Sequence, residues 1–152
     1  MAGKREANAA EESLKVGATA DIVGYRLRRA QLSVFQRFMA TFESLDMRPA
    51  EYSALALLAD NPGRKQTDIA DVLGIKRANF VNLMHALEGR GLIERRTSPE
   101  DRRANALYLT PKGKKFFATA RAVQDRFEKD CVDRLGGVEG RDRLFALLHA
   151  LI

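Results

Sequence analysis

Arg77, Ala78, Asn79 and Asn82 stand at positions that a helix turns away from its apolar side. Each has a use against the edge of a DNA base. Asparagine can pair bidentately with adenine, alanine can touch the thymine methyl, and arginine can take guanine or a phosphate. His85 lies more laterally on the same helix. Farther on, Arg102 and Arg103 form a doublet of long cations in a turn-rich stretch, and such a tip can enter a minor groove. No other chemistry has a comparable set. There is no Gly-rich phosphate loop, no nucleophile elbow and no paired acid/base signature, so neither catalysis nor a cofactor is expected. His85 and His149 have no ligand spacing around them, and no metal site is expected. Cys131, the single cysteine, can neither close an internal disulfide nor hold a metal alone. It shares an apolar stripe with Phe127 and reads as a buried thiol.

The charge distribution agrees with a polyanion partner. The chain has 152 residues, 26 of them Lys or Arg and 20 Asp or Glu, for a formal charge of +6. Residues 64–115 hold twelve basic and six acidic side chains, so all the excess sits in the middle third. The longest uncharged run, Ala78 to Leu87, is far short of the ~20 residues that span a bilayer. The N-terminus carries mixed charge rather than an apolar stretch, and a cytoplasmic setting without membrane attachment is expected.

These residues need elements to hold them. Residues 1–20 are expected to be a flexible leader. From Asp21 to about Leu45, apolar residues at three- and four-residue steps predict a long amphipathic helix, with Tyr25, Leu32 and Met39 as a second stripe. A second helix starts at Pro49 and stops before Asn61-Pro62-Gly63. A short helix, about Gln66 to Leu73, runs into a turn at Gly74. The helix from Arg77 to about Glu88 buries Phe80, Leu83, Met84 and Leu87. Strands at Leu92–Arg96 and Ala106–Leu109 form a hairpin around the charged tip. Thr110-Pro111 predicts the N-cap and first turn of a helix to about Leu135. Gly136-Gly137 breaks it, and a last helix carries Leu144, Leu147, Leu148 and Leu151. The expected fold is mainly α with a small β-hairpin wing, a winged helix-turn-helix flanked by long dimerisation helices. Its expected divisions are a leader (1–20), a dimerisation and pocket helix (21–48), a DNA-binding domain (49–113) and C-terminal dimerisation helices (114–152).

The run Leu73-Gly74-Ile75-Lys76-Arg77, then Arg90-Gly91-Leu92-Ile93-Glu94-Arg95, then Asp101-Arg102-Arg103, then Leu109-Thr110-Pro111-Lys112-Gly113 resembles the MarR family of bacterial transcription regulators. The resemblance implies a homodimer on double-stranded DNA, built on the first and the last two helices, with a ligand pocket between those helices and the DNA-reading lobe. It implies that Arg103 enters the minor groove, oriented by Asp101, with Arg102 on phosphate. Lys76 and Arg95 complete the expected DNA contacts. Two positions depart from the pattern: Lys65 replaces a capping Ser or Thr, and Asn82 a longer polar residue.

The effector reading comes from composition around the first two helices. Tyr25, Phe38 and Tyr52 can meet an aromatic ring, while Arg28 and Arg29 can hold an anionic group. That suits an aromatic acid or an aromatic acyl-CoA as the small-molecule effector of a repressor. Two other readings are a winged-helix protein-interaction module without DNA binding and a cysteine-based redox-sensing regulator.

Overall fold

The computed structural model describes residues 17–97 and 105–152. The chain divides into two compact units, Met1–Val34 and Phe35–Ile152. In the first, a 3-10 turn at Gly17–Asp21 precedes helix α1, whose span is Val23–Thr41. Arg28 there donates to the Gln31 side chain at 3.3 Å. Ile22, Val23, Leu27 and Leu32 are all exposed.

The second unit holds the core. α1 ends earlier than its apolar spacing predicts, at Thr41 rather than near Leu45. A 3-10 turn, Glu43–Leu45, follows, and Asp46 then adopts the left-handed conformation with φ 43°. An aspartate tolerates this where most side chains do not. α2 (Pro49–Asp60) begins as expected, with Glu51 accepting from the Arg48 N–H at 2.8 Å. α3 (Gln66–Val72) has Lys65 at its N-cap, and no side chain caps it, in keeping with the departure noted in the sequence.

The turn into α4 (Arg77–Gly89) shows why glycine occupies position 74. Gly74 has φ 62°, its N–H bonds the Asp71 carbonyl, and the Ile75 N–H reaches back to Ala70. This double closure satisfies the last carbonyls of α3 and needs a left-handed residue. The end of α4 repeats the device at Gly91, with Leu92 N–H on the Leu87 carbonyl.

Strand β1 (Ile93–Thr97) pairs antiparallel with β2 (Asn105–Leu109), placing Ile93 opposite Leu109 and Arg95 opposite Leu107. Lys65 bridges to Ala106 and so joins the start of α3 to the sheet. The expected tip residues Asp101, Arg102 and Arg103 lie outside the described residues. α5 (Pro111–Arg134) starts on the expected cap, Thr110 Oγ1 accepting from the Gly113 N–H at 2.9 Å. The same hydroxyl donates to the Gly91 carbonyl at 2.6 Å, and Thr110 N–H donates to the Leu92 carbonyl. α6 (Val138–His149) completes the chain.

Phe42, Leu55, Leu58, Phe80, Met84, Leu87, Leu92 and Leu107 form the centre of the core. No polar or charged residue among those described is fully buried. No helix among them is long and apolar enough to cross a membrane.

Candidate nucleic-acid interface

α4 is held from one side only. Phe80, Met84 and Leu87 are fully buried, while Lys76, Arg77, Ala78, Asn79, Asn82 and His85 are exposed. The periodicity therefore divides the helix as the sequence predicts, and five of the expected DNA contacts share its free surface. Electrostatics adds a second feature. Lys76 and Arg77 stand at the N-terminal end of α4, and no acid occupies its first turn. Cations at the positive end of a helix are unfavourable, by about 0.3–1 kcal/mol each at an exposed site. An anion at that end reverses the sign, since free backbone N–H groups and both cations then face it together.

Arg95 is placed differently from the other expected contacts. Its Nε donates to Glu88 Oε2 at 3.1 Å and its Nη1 to Gln66 Oε1 at 2.9 Å. Its side chain is 23% exposed. In this conformation Arg95 ties the wing to α3 and α4 instead of projecting from the surface. Arg96 is the freer wing arginine, at 59% exposure; it pairs with Glu94 and lies 4.4 Å over the Tyr108 ring.

Of the five residues expected to hold an effector, Phe38 and Tyr52 come together, with ring centroids 6.4 Å apart. Phe38 stacks on Phe42 at 4.0 Å and meets Phe127 edge-on at 5.6 Å. It is 6% exposed, so it fills space rather than lining it. Phe117 on α5, a residue the sequence reading did not single out, joins this cluster at 5.7 Å from Tyr52. Its spacing to Ala120 and Gln124 could have shown this. Burial, with Asp125 nearby, pushes the Tyr52 phenol above its ordinary range. Tyr25, Arg28 and Arg29 belong to the first unit, where Tyr25 is half-buried and both arginines are exposed.

Arg37 is ion-paired with Asp130 on α5, and Arg134 holds the same carboxylate. The Arg134 hydrogen bond, with Arg37 beside it, keeps the Asp130 carboxyl below the usual range. Burial pushes the Cys131 thiol up, outweighing the pull of Arg37. A raised thiol is a poor nucleophile at neutral pH. A cavity of about 300 Å³ opens between the end of α2, the wing and the start of α5, lined by Leu58, Pro62, Arg96, Tyr108, Lys114 and Phe117. None of the five expected effector residues lines it. No group of His, Cys, Asp or Glu among the described residues could hold a metal.

The sequence profile of the MarR family matches residues 45–104. The putative transcriptional regulatory protein for the hcr operon of Thauera aromatica is 34% identical over 148 residues, covering 97% of this chain and 89% of that protein. The transcriptional repressor CouR bound to a 23-mer DNA duplex is 44% identical, with a TM-score of 0.84 over 91% of this chain and 97% of that one. The same repressor bound to p-coumaroyl-CoA is 42% identical, with a TM-score of 0.83 over 91% of this chain and 96% of that one.

Proposed function

The chain belongs to the MarR family, and on that premise we propose a dimeric DNA-binding repressor that leaves its operator when an anionic aromatic effector, an aromatic acyl-CoA, binds. The observation that carries the reading is the likeness to CouR, at more than 40% identity, in a DNA-bound and a p-coumaroyl-CoA-bound form. The free face of α4 supports the DNA half. Asn79 and Asn82 are the base readers, Ala78 meets a thymine methyl, and Lys76 and Arg77 hold phosphate. Arg103 takes the minor groove with Asp101 orienting it, and Arg102 takes phosphate. Arg95 acts by holding the wing against α4. A protein-interaction module without DNA binding would have no use for two cations at the N-terminus of α4.

Dimerisation follows from the surface. α6 and the residues after it expose Phe145, Leu147, Leu148 and Leu151, and α1 exposes Leu27, Leu32 and Phe35. Such patches are covered in a stable soluble protein. Two recognition helices related by a dyad read half-sites about one helical turn apart, so the operator is a pseudo-palindrome.

The effector half rests on Arg28 and Arg29 for the anionic group and on Tyr25 and Tyr52 for the ring; Phe38, expected beside them, is committed to the core by its stack with Phe42. An effector releases DNA only by binding the DNA-incompetent state more tightly. The test is a titration of the chain's own promoter fragment by electrophoretic retardation, with p-coumaroyl-CoA and free phenolic acids as competitors. Expected are release by the thioester and loss of that response, with operator binding retained, in an Arg28→Ala/Arg29→Ala variant. If each subunit neutralises four or five phosphates, log K falls with log[salt] at a slope of about −7 to −9. A flat salt dependence, or a double variant with normal response, refutes the corresponding half.

A further inference from the structure

Arg90 follows the last turn of α4, and two other segments meet on it. Its Nη1 donates to the Asp46 carbonyl and its Nη2 to the Leu45 carbonyl, both at 2.9 Å. Its guanidinium carbon lies 5.0 Å from the centroid of the Phe116 ring on α5. Its own carbonyl accepts from Lys112 Nζ, in the first turn of α5, at 2.6 Å. The end of α4 is thereby tied to the corner between α1 and α2 and to the start of α5. The other side-chain hydrogen bond between α4 and a separate element, among the described residues, is that of Glu88 with Arg95, which leads to the wing. Apart from the backbone closures at Gly74 and Gly91, which join α4 to its neighbours in sequence, the rest of the hold on α4 is apolar, through Phe80, Met84 and Leu87. Apolar contact is non-directional and does not by itself fix an angle. A planar two-point fork does.

The corner it grips is independently unusual. Asp46 is the one non-glycine residue with positive φ among those described. The Leu45 carbonyl belongs to the peptide unit before the Asp46 Cα, and the Asp46 carbonyl to the unit after it. A guanidinium that holds both carbonyls therefore holds φ and ψ of Asp46 at once. Left-handed residues persist where the surroundings over-determine them.

We propose that Arg90 is the positioning residue that sets the angle of α4 relative to the α1–α2 corner and α5, and that operator affinity depends on it through this angle. The inference rests on the DNA-binding reading above. Arg90→Lys is the discriminating variant. It keeps the charge and the aliphatic stem and loses the fork. The experiment measures backbone residual dipolar couplings of the weakly aligned, deuterated full chain, then titrates the same samples with the chain's own promoter duplex at several salt concentrations.

In the wild type, α4 and α5 share one alignment tensor. In Arg90→Lys the couplings of α4 depart from that tensor while those of α2 and α5 keep it. Operator affinity falls about fivefold or more at an unchanged salt slope. Couplings that stay on one tensor overturn the proposal, even if the variant melts at a lower temperature, because Arg90 then contributes stability alone. A salt slope reduced by about one overturns it too, since Arg90 is then a phosphate contact. A tilted α4 in the variant, with no operator binding by the wild type, upholds the positioning role and removes the DNA-binding reading.

Discussion

A methyl group on Gly113 would lie 1.8 Å from the Leu92 carbonyl oxygen. The glycine of Leu-Thr-Pro-Lys-Gly is therefore set by the approach of two backbones, against the helix propensity of its position. Gly89, also helical, has nothing within 4 Å of its missing Cβ. The two should respond to alanine with opposite signs. Gly113→Ala is expected to lose about 2–4 kcal/mol through backbone displacement. Gly89→Ala is expected to gain up to about 1 kcal/mol. Urea midpoints at constant m-value decide both. Equal responses would mean that the close approach at Leu92 relaxes freely.

On the proposed reading the short exposed side chains of α4 would discriminate bases, so its variants should change preference more than fold. Asn82→Ala removes an exposed group that takes no part in the core. It is expected to leave the melting temperature unchanged and to cost about 1–3 kcal/mol at one base position, relaxing preference there. Selection from a randomised operator library measures this, and an unaltered consensus would take Asn82 out of the readout. This face was legible in the sequence because the period of Phe80, Leu83, Met84 and Leu87 fixes its opposite side. The glycine turns at 74 and 91 and the Thr110 cap were legible for a similar reason, since each rests on local backbone geometry. Other features were not. The 3-10 turn at Glu43–Leu45 continues the apolar spacing of α1, so periodicity alone runs the helix on past Thr41. The roles of Arg90 and Arg95 depend on partners far away in sequence, and two arginines in a basic block look alike until Leu45, Asp46, Glu88 and Gln66 are placed beside them. Phe38 reads equally as pocket or core from spacing, and the stack with Phe42 makes it core.

The whole molecule depends on its exposed apolar helices finding a partner. Leu147 is 61% exposed and Leu148 is 36% exposed in the single chain. Leu147→Glu/Leu148→Glu is expected to shift sedimentation from a dimer to a 17.0 kDa species and to abolish operator binding at nanomolar concentration, with far-ultraviolet helicity largely kept. A variant that remains dimeric would place the interface elsewhere. The start of α5 has a further mechanical consequence. Thr110 and Gly113 fasten its first turn to Gly91 and Leu92, at the root of the wing. With 24 residues at 1.5 Å each, the helix is about 36 Å long. A rigid rod of that length, if pivoted at its distal end, would act as a lever arm whose moving end is the wing root. A tilt of about 5° about the distal end carries the fastened end through about 3 Å, close to the ~3.4 Å rise of one base pair. If effector binding tilts α5, the gain of the proposed switch would be set by the length of this helix, and a shorter one would need a proportionally larger rotation to miss the same groove.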